Sequence, residues 1–463
     1  MTDTSEHLNA LDAFSQDHST IKYISPSSPD FASSSGVWNA SRNATPLAVF
    51  QPQSAKEVAT VIKFAQSNAI PFTLRSGGHN LEGLALVQDA LLIDLRALSS
   101  VTVAEDRKSA TVGGGILQGE LVSKLWDQGL ATSTGTIPSV GYFGWASYGG
   151  YGPFSSHWGL GVDQIIGASV INPDGEIIEA DEDLLEGIRG AGGVFGVIVD
   201  VTIKVYPLTG ILAGPIVFDS SDIVTSFTKF NAAFTNLEET DELPPYLTLQ
   251  PVCFASPHGL AFAMLFAWSG PDLEEGKPWI EKIAALGPVK MNAVKPTTIP
   301  EWISGAGANV PDRVYGSSWT FNVSRITPAL AETIARNLSV LPNDPGAMFS
   351  MHQLRGPSAA PQAHGSLFLP REPHYMLEIL GYAATPENQD RSEAWARQMA
   401  QEVEQAAEGS LLETPYVSLY NSTRSENAVR WVEKVYGEKA GVLRDLKAKF
   451  DPTNVYKLTV PSL

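Results

Sequence analysis

Four glycine-bearing loops, at 75–84, 113–119, 135–152 and 189–196, punctuate the first half of the chain, each between runs that read as regular elements. Glycine lets a backbone take positive φ and approach a ligand closely. Successive exposed N–H groups then form a concavity that attracts phosphate oxygens. One such loop is weak evidence; four in succession point to a long ligand lying across a domain, such as a dinucleotide. The first loop, RSGGHNLEGL at 75–84, admits three readings. It is a tight turn, an anion-binding loop, or the seat of a cofactor that uses His79 chemically.

The surrounding pattern mixes strands and helices without strict β-α-β order. LAVFQP reads as a strand leading into a helix, where Ser54 and Glu57 form a capping box and Val58, Val61, Ile62 and Ala65 make one apolar face. PFTLR and ALLIDL are strands, SVTVAEDRKSATVGGG a hairpin, LQGELVSKLWDQG a helix. IIGASVINPDGEIIEA is a second hairpin, turned at Asn172-Pro173-Asp174-Gly175. DLLEGI is a short helix, and VIVDVTIKVYP alternates Val199, Val201, Ile203 and Val205 against Asp200, Thr202 and Lys204. The Ser-rich start reads as weakly structured. Beyond a boundary at Pro207 to Gly214 come the longer alternating runs PYLTLQPVCF, GLAFAMLFAW, AMFSMHQLRG and HYMLEILGYA, interspersed with amphipathic helices. That combination predicts an antiparallel sheet with helices on one face. VLRDLKAKFDPTNVYKL is a helix stopped at Asp451-Pro452, followed by a short strand-like end. With 463 residues the chain exceeds one comfortable core, so the fold class is α+β in two domains.

Several chemistries are disfavoured. The last glycine position of a G-x-G-x-x-G fingerprint is filled by Gln118, and no Walker sequence is present. The eight histidines are scattered, with neither HExxH nor a cysteine pair, so no metal site is expected. A Ser-His-Asp triad lacks its G-x-S-x-G elbow. A formal net charge of -19 and the absence of Lys/Arg clusters argue against nucleic acid and against anionic membranes. The single Cys253 excludes an internal disulfide framework and suits a reducing compartment. The N-terminal stretch lacks the regions of an export signal, and no apolar run is long enough to span a membrane. A cytoplasmic or other intracellular location is expected.

RSGGHNLEGL, ATVGGGILQGEL, GTIPSVGYFGWASYGGYGPFSSHWGLGVDQIIGASVINPDGEI, DLLEGIRGAGGVFGVIVDVTIKVYPL and the closing YGEKAGVLRDLKAKFDPTNVYKL together resemble the berberine-bridge-enzyme-like flavoproteins of the vanillyl-alcohol-oxidase superfamily. The likeness is strong over about 35–210 and good over 430–457; between them it holds only in layout. The resemblance implies an FAD-binding domain over 1–210 with a C-terminal return at 415–463, and a substrate-binding domain over 211–414. It implies that His79 bonds covalently to the methyl carbon of the flavin dimethylbenzene ring. Arg75, Ser76, Gly77 and Gly78 would cradle the pyrophosphate, with Asn80, Gly83 and Leu84 completing that loop. A second wall would come from Gly135, Thr136, Val140, Gly141, Gly144, Ser147, Gly150 and Gly152, and a further edge from Val197 and Ile198. Bicovalent members carry Cys where this chain has Ile137, so a single link is expected. Phe143 and Tyr148 replace usual glycines, Val194 a common Asn, and Thr459 and Val460 an Asn-Gln pair. Bulkier side chains there would reshape the pocket near the flavin ring.

The implied activity is an FAD-linked oxidase. It removes hydride from an alcohol, carbohydrate or secondary-metabolite substrate and is reoxidised by oxygen to give hydrogen peroxide. The alternative is a flavin-retaining, non-redox cyclase or isomerase. Strand alternation supplies candidates for the base. In HYMLEILGYA, His374, Met376, Glu378, Leu380 and Tyr382 share the mixed face that would turn toward a ligand. AMFSMHQLRG puts Ser350 with His352, and PYLTLQPVCF puts Tyr246 and Thr248 with Gln250. Tyr416 and Tyr420 lie in YVSLYN, near where the family places a catalytic tyrosine, although Ser418 fills the usual Asn place. The catalytic candidates are therefore Tyr382, Tyr416, His352 and Glu378.

Overall fold

Runs of apolar residues short enough to be buried on both faces build the first sheet. In the computed structural model, which describes residues 4–308, 310–362, 364–416, 428–459 and 463, the strand Leu91–Asp94 is buried throughout. It lies parallel between Ala48–Gln51 and Phe72–Arg75, with Lys22–Ile24 antiparallel at the edge. Parallel strands covered on both faces need no polar alternation, and ALLIDL shows none until Asp94. The helix Ala55–Ser67 covers this sheet with Val58, Val61, Ile62 and Ala65 buried, as its spacing requires. Ser54 Oγ accepts from the Glu57 N–H, while the Glu57 carboxylate reaches the Gln53 N–H rather than closing a box on Ser54.

A second sheet is antiparallel, with five strands in the order Val101–Val103, Ser109–Gly113, Val197–Lys204, Ile165–Ile171, Ile177–Glu179. Both hairpins read from the sequence are present, the second turning where Asn172 Oδ1 accepts from the N–H groups of Asp174 and Glu176.

The long alternating runs join a third, eight-stranded antiparallel sheet with Val289–Asn292 and Lys295–Thr297 at one edge, paired to Ile211–Phe218, and Tyr315–Val323 at the other. Its strands Leu247–Ser256, Ala347–Leu354 and His374–Ala383 lie side by side near the middle. One face packs under the helices Ile223–Thr240, Pro328–Leu338 and Gln389–Ala406, burying Phe227, Phe349, Leu377 and Ile379. Period-2 alternation leaves the opposite face, with Met376 and Glu378, turned toward the first half of the molecule.

Two sequence expectations are corrected. The Ser-rich start contains a helix, Thr4–Asp17, because Leu11 and Phe14 are buried and Phe14 packs on Phe50 and Phe64. Polar neighbours mask that short apolar spacing in the sequence. The closing segment after Asp451 is a series of turns, not a strand. The Asp451 carboxylate accepts from the N–H groups of Val455 and Tyr456, which bends the chain back. The helices Ala428–Tyr436 and Ala440–Phe450 pack on the first half, where Tyr436 Oη donates to Gly190 O and Tyr456 Oη to Ile171 O.

Candidate active site

The root of the 75–84 loop is held by charge. Arg75 and Asp94 are register partners on adjacent parallel strands, both buried, with Nη2 2.6 Å from Oδ2. Arg75 Nη1 also donates to Gly36 O, and Gln51 Nε2 donates to Asp94 Oδ2. Burial lowers the Arg75 pKa, and the Asp94 charge works against that fall. The guanidinium is thus committed inward and anchors the strand end, while Arg75 still borders the cavity described below. The loop that follows is shaped by Asn80, whose Oδ1 accepts from the N–H groups of Glu82 and Leu84.

This loop meets the 135–144 loop backbone to backbone. A Cβ on Gly77 would stand 2.3 Å from Gly141 N and 2.5 Å from Ser139 O; one on Gly141 would stand 2.2 Å from Ser76 Oγ. No side chain fits there. The two loops border a cavity of about 490 Å³. Arg75, Ser76, Gly77, Gly78, Asn80 and Leu84 line one side, with His79 among them. Gly135, Thr136, Val140, Gly141 and Gly144 line the other, and Ile198 closes an end.

Five expected cofactor residues lie outside this lining. Gly83 sits in the turn, where a Cβ would crowd Asn39 O at 2.7 Å. Gly150 donates its N–H to Tyr416 Oη at 3.0 Å, and Gly152 packs so tightly on Thr134 O that a Cβ would come within 2.0 Å. Ser147 O accepts from Gly190 N, and Val197 is buried in the core beneath the parallel sheet. These five stand behind the lining, and Gly83, Gly150 and Gly152 pack loop on loop.

His79 is half-buried, and its ring stacks on Trp38 at 5.3 Å with 20° between planes. Nε2 lies 2.9 Å from Ser139 Oγ. Burial pulls the imidazole pKa down to about 4, so the ring is neutral near pH 7. Ile137 lines the cavity. Cys253 lies fully buried in the helix-covered core of the large sheet, and burial pushes its thiol pKa up.

The far wall comes from the large sheet. Met376, Glu378 and Leu380 line the cavity from one strand, Met348 and His352 from the next, and Gln250 from a third. Ser350 Oγ donates to Glu378 Oε2 at 2.6 Å, and His352 Nε2 lies 3.6 Å from the same oxygen and 3.1 Å from the Gln250 amide. Burial pushes the Glu378 carboxyl up, but His352 and Ser350 together outweigh it and hold the group below its ordinary range. It is therefore a carboxylate at neutral pH. Tyr416 also lines the cavity. Tyr382, the fourth catalytic candidate, does not border it; its hydroxyl donates to Leu81 O. Tyr420 and Ser418 lie outside the described residues.

Several lining residues were not singled out from the sequence, among them Trp38, Trp145 and Tyr151, while Gly193 and Gly196 come from the glycine loop at 189–196. Tyr151 crosses Tyr416 edge-on at 4.5 Å, and its hydroxyl donates to His374 Nε2, because His374 Nδ1–H is directed to Glu372 O. Aromatics interleaved with the 141–152 glycines were the available signal for Trp145 and Tyr151. Nothing local marks Trp38, which reaches the site only through the fold.

A side-chain-free cradle suits a pyrophosphate, a neutral histidine stands beside it, and a half-buried carboxylate lines the same aromatic-walled space. These residues fit FAD, and fold and site together define a flavin-dependent oxidoreductase. Residues 46–181 match the family model described as FAD binding domain, and 408–460 the one described as Berberine and berberine like. The FAD-linked oxidoreductase aurO of Gibberella zeae is 30% identical over 444 residues, covering 94% of this chain and 84% of that protein. The solved 6-hydroxy-D-nicotine oxidase of Arthrobacter nicotinovorans shares the fold with TM-score 0.80 at 22% identity, over 96% of this chain and 97% of that one. A solved chitooligosaccharide oxidase does so with TM-score 0.79 at 20% identity, over 96% and 98%. The chain belongs to the berberine-bridge-enzyme-like FAD-linked oxidoreductases. Among the described residues, no helix is long and apolar enough to cross a membrane.

Proposed function

We propose that the protein is an oxidase that removes hydride from a carbinol or amine carbon of a small alcohol, carbohydrate or secondary metabolite. Dioxygen is the electron acceptor, hydrogen peroxide the second product, and His79 the single covalent tether of FAD. The observation that carries this reading is Glu378. Its carboxylate is kept ionised by His352 and Ser350 on a wall of the same cavity that His79 and the glycine cradle line. FAD, when bound, supplies the hydride acceptor. Ser76, Gly77, Gly78 and Asn80 would hold it from one side, and Gly135, Thr136, Val140 and Gly141 from the other.

The protein's own share is positioning and proton transfer. Glu378 takes the proton from the substrate hydroxyl or amine as the carbon loses its hydride, and His352 steadies the carboxylate. Tyr416 and Tyr151 form an aromatic wall that orients an apolar or sugar-like body and excludes water. Oxidase relatives in name, acting on a nicotine derivative and on a chitooligosaccharide, support the reaction type and leave the substrate open.

The test is anaerobic mixing of the holoprotein with panels of alcohols, amines, oligosaccharides and phenolic metabolites. Bleaching of the flavin absorbance, followed on aeration by stoichiometric peroxide, is the expected result. A turned-over compound that yields a product of unchanged mass, with no bleaching and no peroxide, establishes the cyclase or isomerase instead.

A further inference from the structure

Ser139 has a role that its sequence position does not announce. It stands two residues after Ile137, is exposed, and does not line the cavity that His79 lines. Its hydroxyl nevertheless lies 2.9 Å from His79 Nε2. Trp38, stacked on the imidazole, fixes the plane of the ring, so this contact fixes its rotation within that plane. Nε2 is thereby turned to the rim. Among the described residues, Nδ1 takes no hydrogen bond.

We propose that Ser139 is a positioning residue for flavin attachment: its Oγ accepts the Nε2–H of His79, which leaves the Nδ1 lone pair as the nucleophile. The inference rests on the His79 tether proposed above and names the residue that makes it form. A neutral imidazole carries one N–H and one lone pair, and a hydrogen bond to one nitrogen decides which is which. The burial that keeps His79 neutral supplies the first condition, and Ser139 supplies the second. In the attachment step a bond forms between Nδ1 and the ring-methyl carbon of FAD. One methyl C–H and the Nε2–H break, the latter proton leaving past Ser139 to solvent. The electron pair released passes to the isoalloxazine ring, and dioxygen then removes it with two protons as hydrogen peroxide. Ser139 itself is unchanged.

The experiment uses full-length apoprotein from riboflavin-depleted cells, mixed with FAD in air. Samples quenched in trichloroacetic acid are read for flavin fluorescence retained in the pellet, and gel filtration of unquenched samples reads total bound FAD. The wild type is expected to become fully acid-stable. Ser139→Ala is expected to bind FAD normally but attach it about tenfold more slowly, the worth of one lost hydrogen bond. Should Ser139→Ala fail to fold, the isosteric pair Ser139→Thr and Ser139→Val replaces it: the hydroxyl-bearing variant attaches near the wild-type rate and the other does not. A merely structural serine would instead change gel-filtered FAD and pellet fluorescence in parallel, or change neither, and either result overturns the proposal. If the wild type itself leaves no fluorescence in the pellet while retaining FAD on gel filtration, the tether has failed. If the wild type and Ser139→Ala attach at equal rates, the tether stands and only Ser139's role is lost.

Discussion

Glu378 shows how one residue takes its character from its neighbours. Buried alone, a carboxyl would stay protonated and could take up no proton; with His352 and Ser350 against it, it remains ionised. Glu378→Gln keeps the shape and removes the base, and is expected to lower kcat by about 10²- to 10⁴-fold with the flavin spectrum intact. Because the folded pKa lies below the ordinary 4.5, the carboxylate and its stabilising contacts persist above that value and are lost only as pH falls through the lower folded one. With a substrate that does not titrate there, the acid limb of kcat/KM should fall below pH 4.5; a limb near pH 6 would assign the base elsewhere. Gly77 makes the opposite case, where the absence of a side chain is the function. Gly77→Ala drives a Cβ into backbone atoms of the facing loop, which cannot swing aside as a side chain would. Overpacking of about 1–3 kcal/mol should appear as roughly tenfold or greater loss of retained FAD, read from the ratio of flavin to protein absorbance.

At the scale of elements, the short parallel strands and their caps set the loops. The strand Phe72–Arg75 is only four residues long, and its end is fixed by the buried Arg75–Asp94 pair rather than by length. Asp94→Ala leaves a guanidinium buried without its counter-charge and is expected to cost about 3–5 kcal/mol, measured as a fall in the denaturant midpoint at constant slope. Ser54→Ala, at the start of the helix Ala55–Ser67, removes a single cap and should cost only about 0.5–2 kcal/mol in the same assay. The contrast separates a contact that any helix of this kind makes from one that holds the cofactor loop. The alternation in HYMLEILGYA was legible because period 2 assigns faces without further information: Met376, Glu378 and Leu380 turn to the cavity and Leu377 and Ile379 to the helices. Tyr382 shows the limit of that rule. It shares the parity of Glu378 but lies at the strand's end, where the 75–84 loop covers it and takes its hydroxyl.

On the scale of the whole molecule, the site exists because the sheets of the first half face the uncovered side of the large sheet, with the C-terminal helices packed back on the first half. A tethered cofactor would bind that arrangement once and for all. His79→Ala should therefore make the melting temperature depend on added FAD, with about 2.7 kcal/mol of stabilisation at a hundredfold excess over Kd, whereas the wild-type value should not move. Differential scanning calorimetry across an FAD series checks this. The sequence alone determined the elements whose signals are local: the glycine loops, the apolar faces of Ala55–Ser67 and of the long strands, and the ordered motifs that mark a flavoprotein. It could not place Trp38 against His79, commit Arg75 inward to Asp94, or exclude Tyr382 from the cavity. Local backbone preference and periodicity act over a few residues, whereas those contacts join segments far apart in the chain, and only the packed tertiary structure decides them.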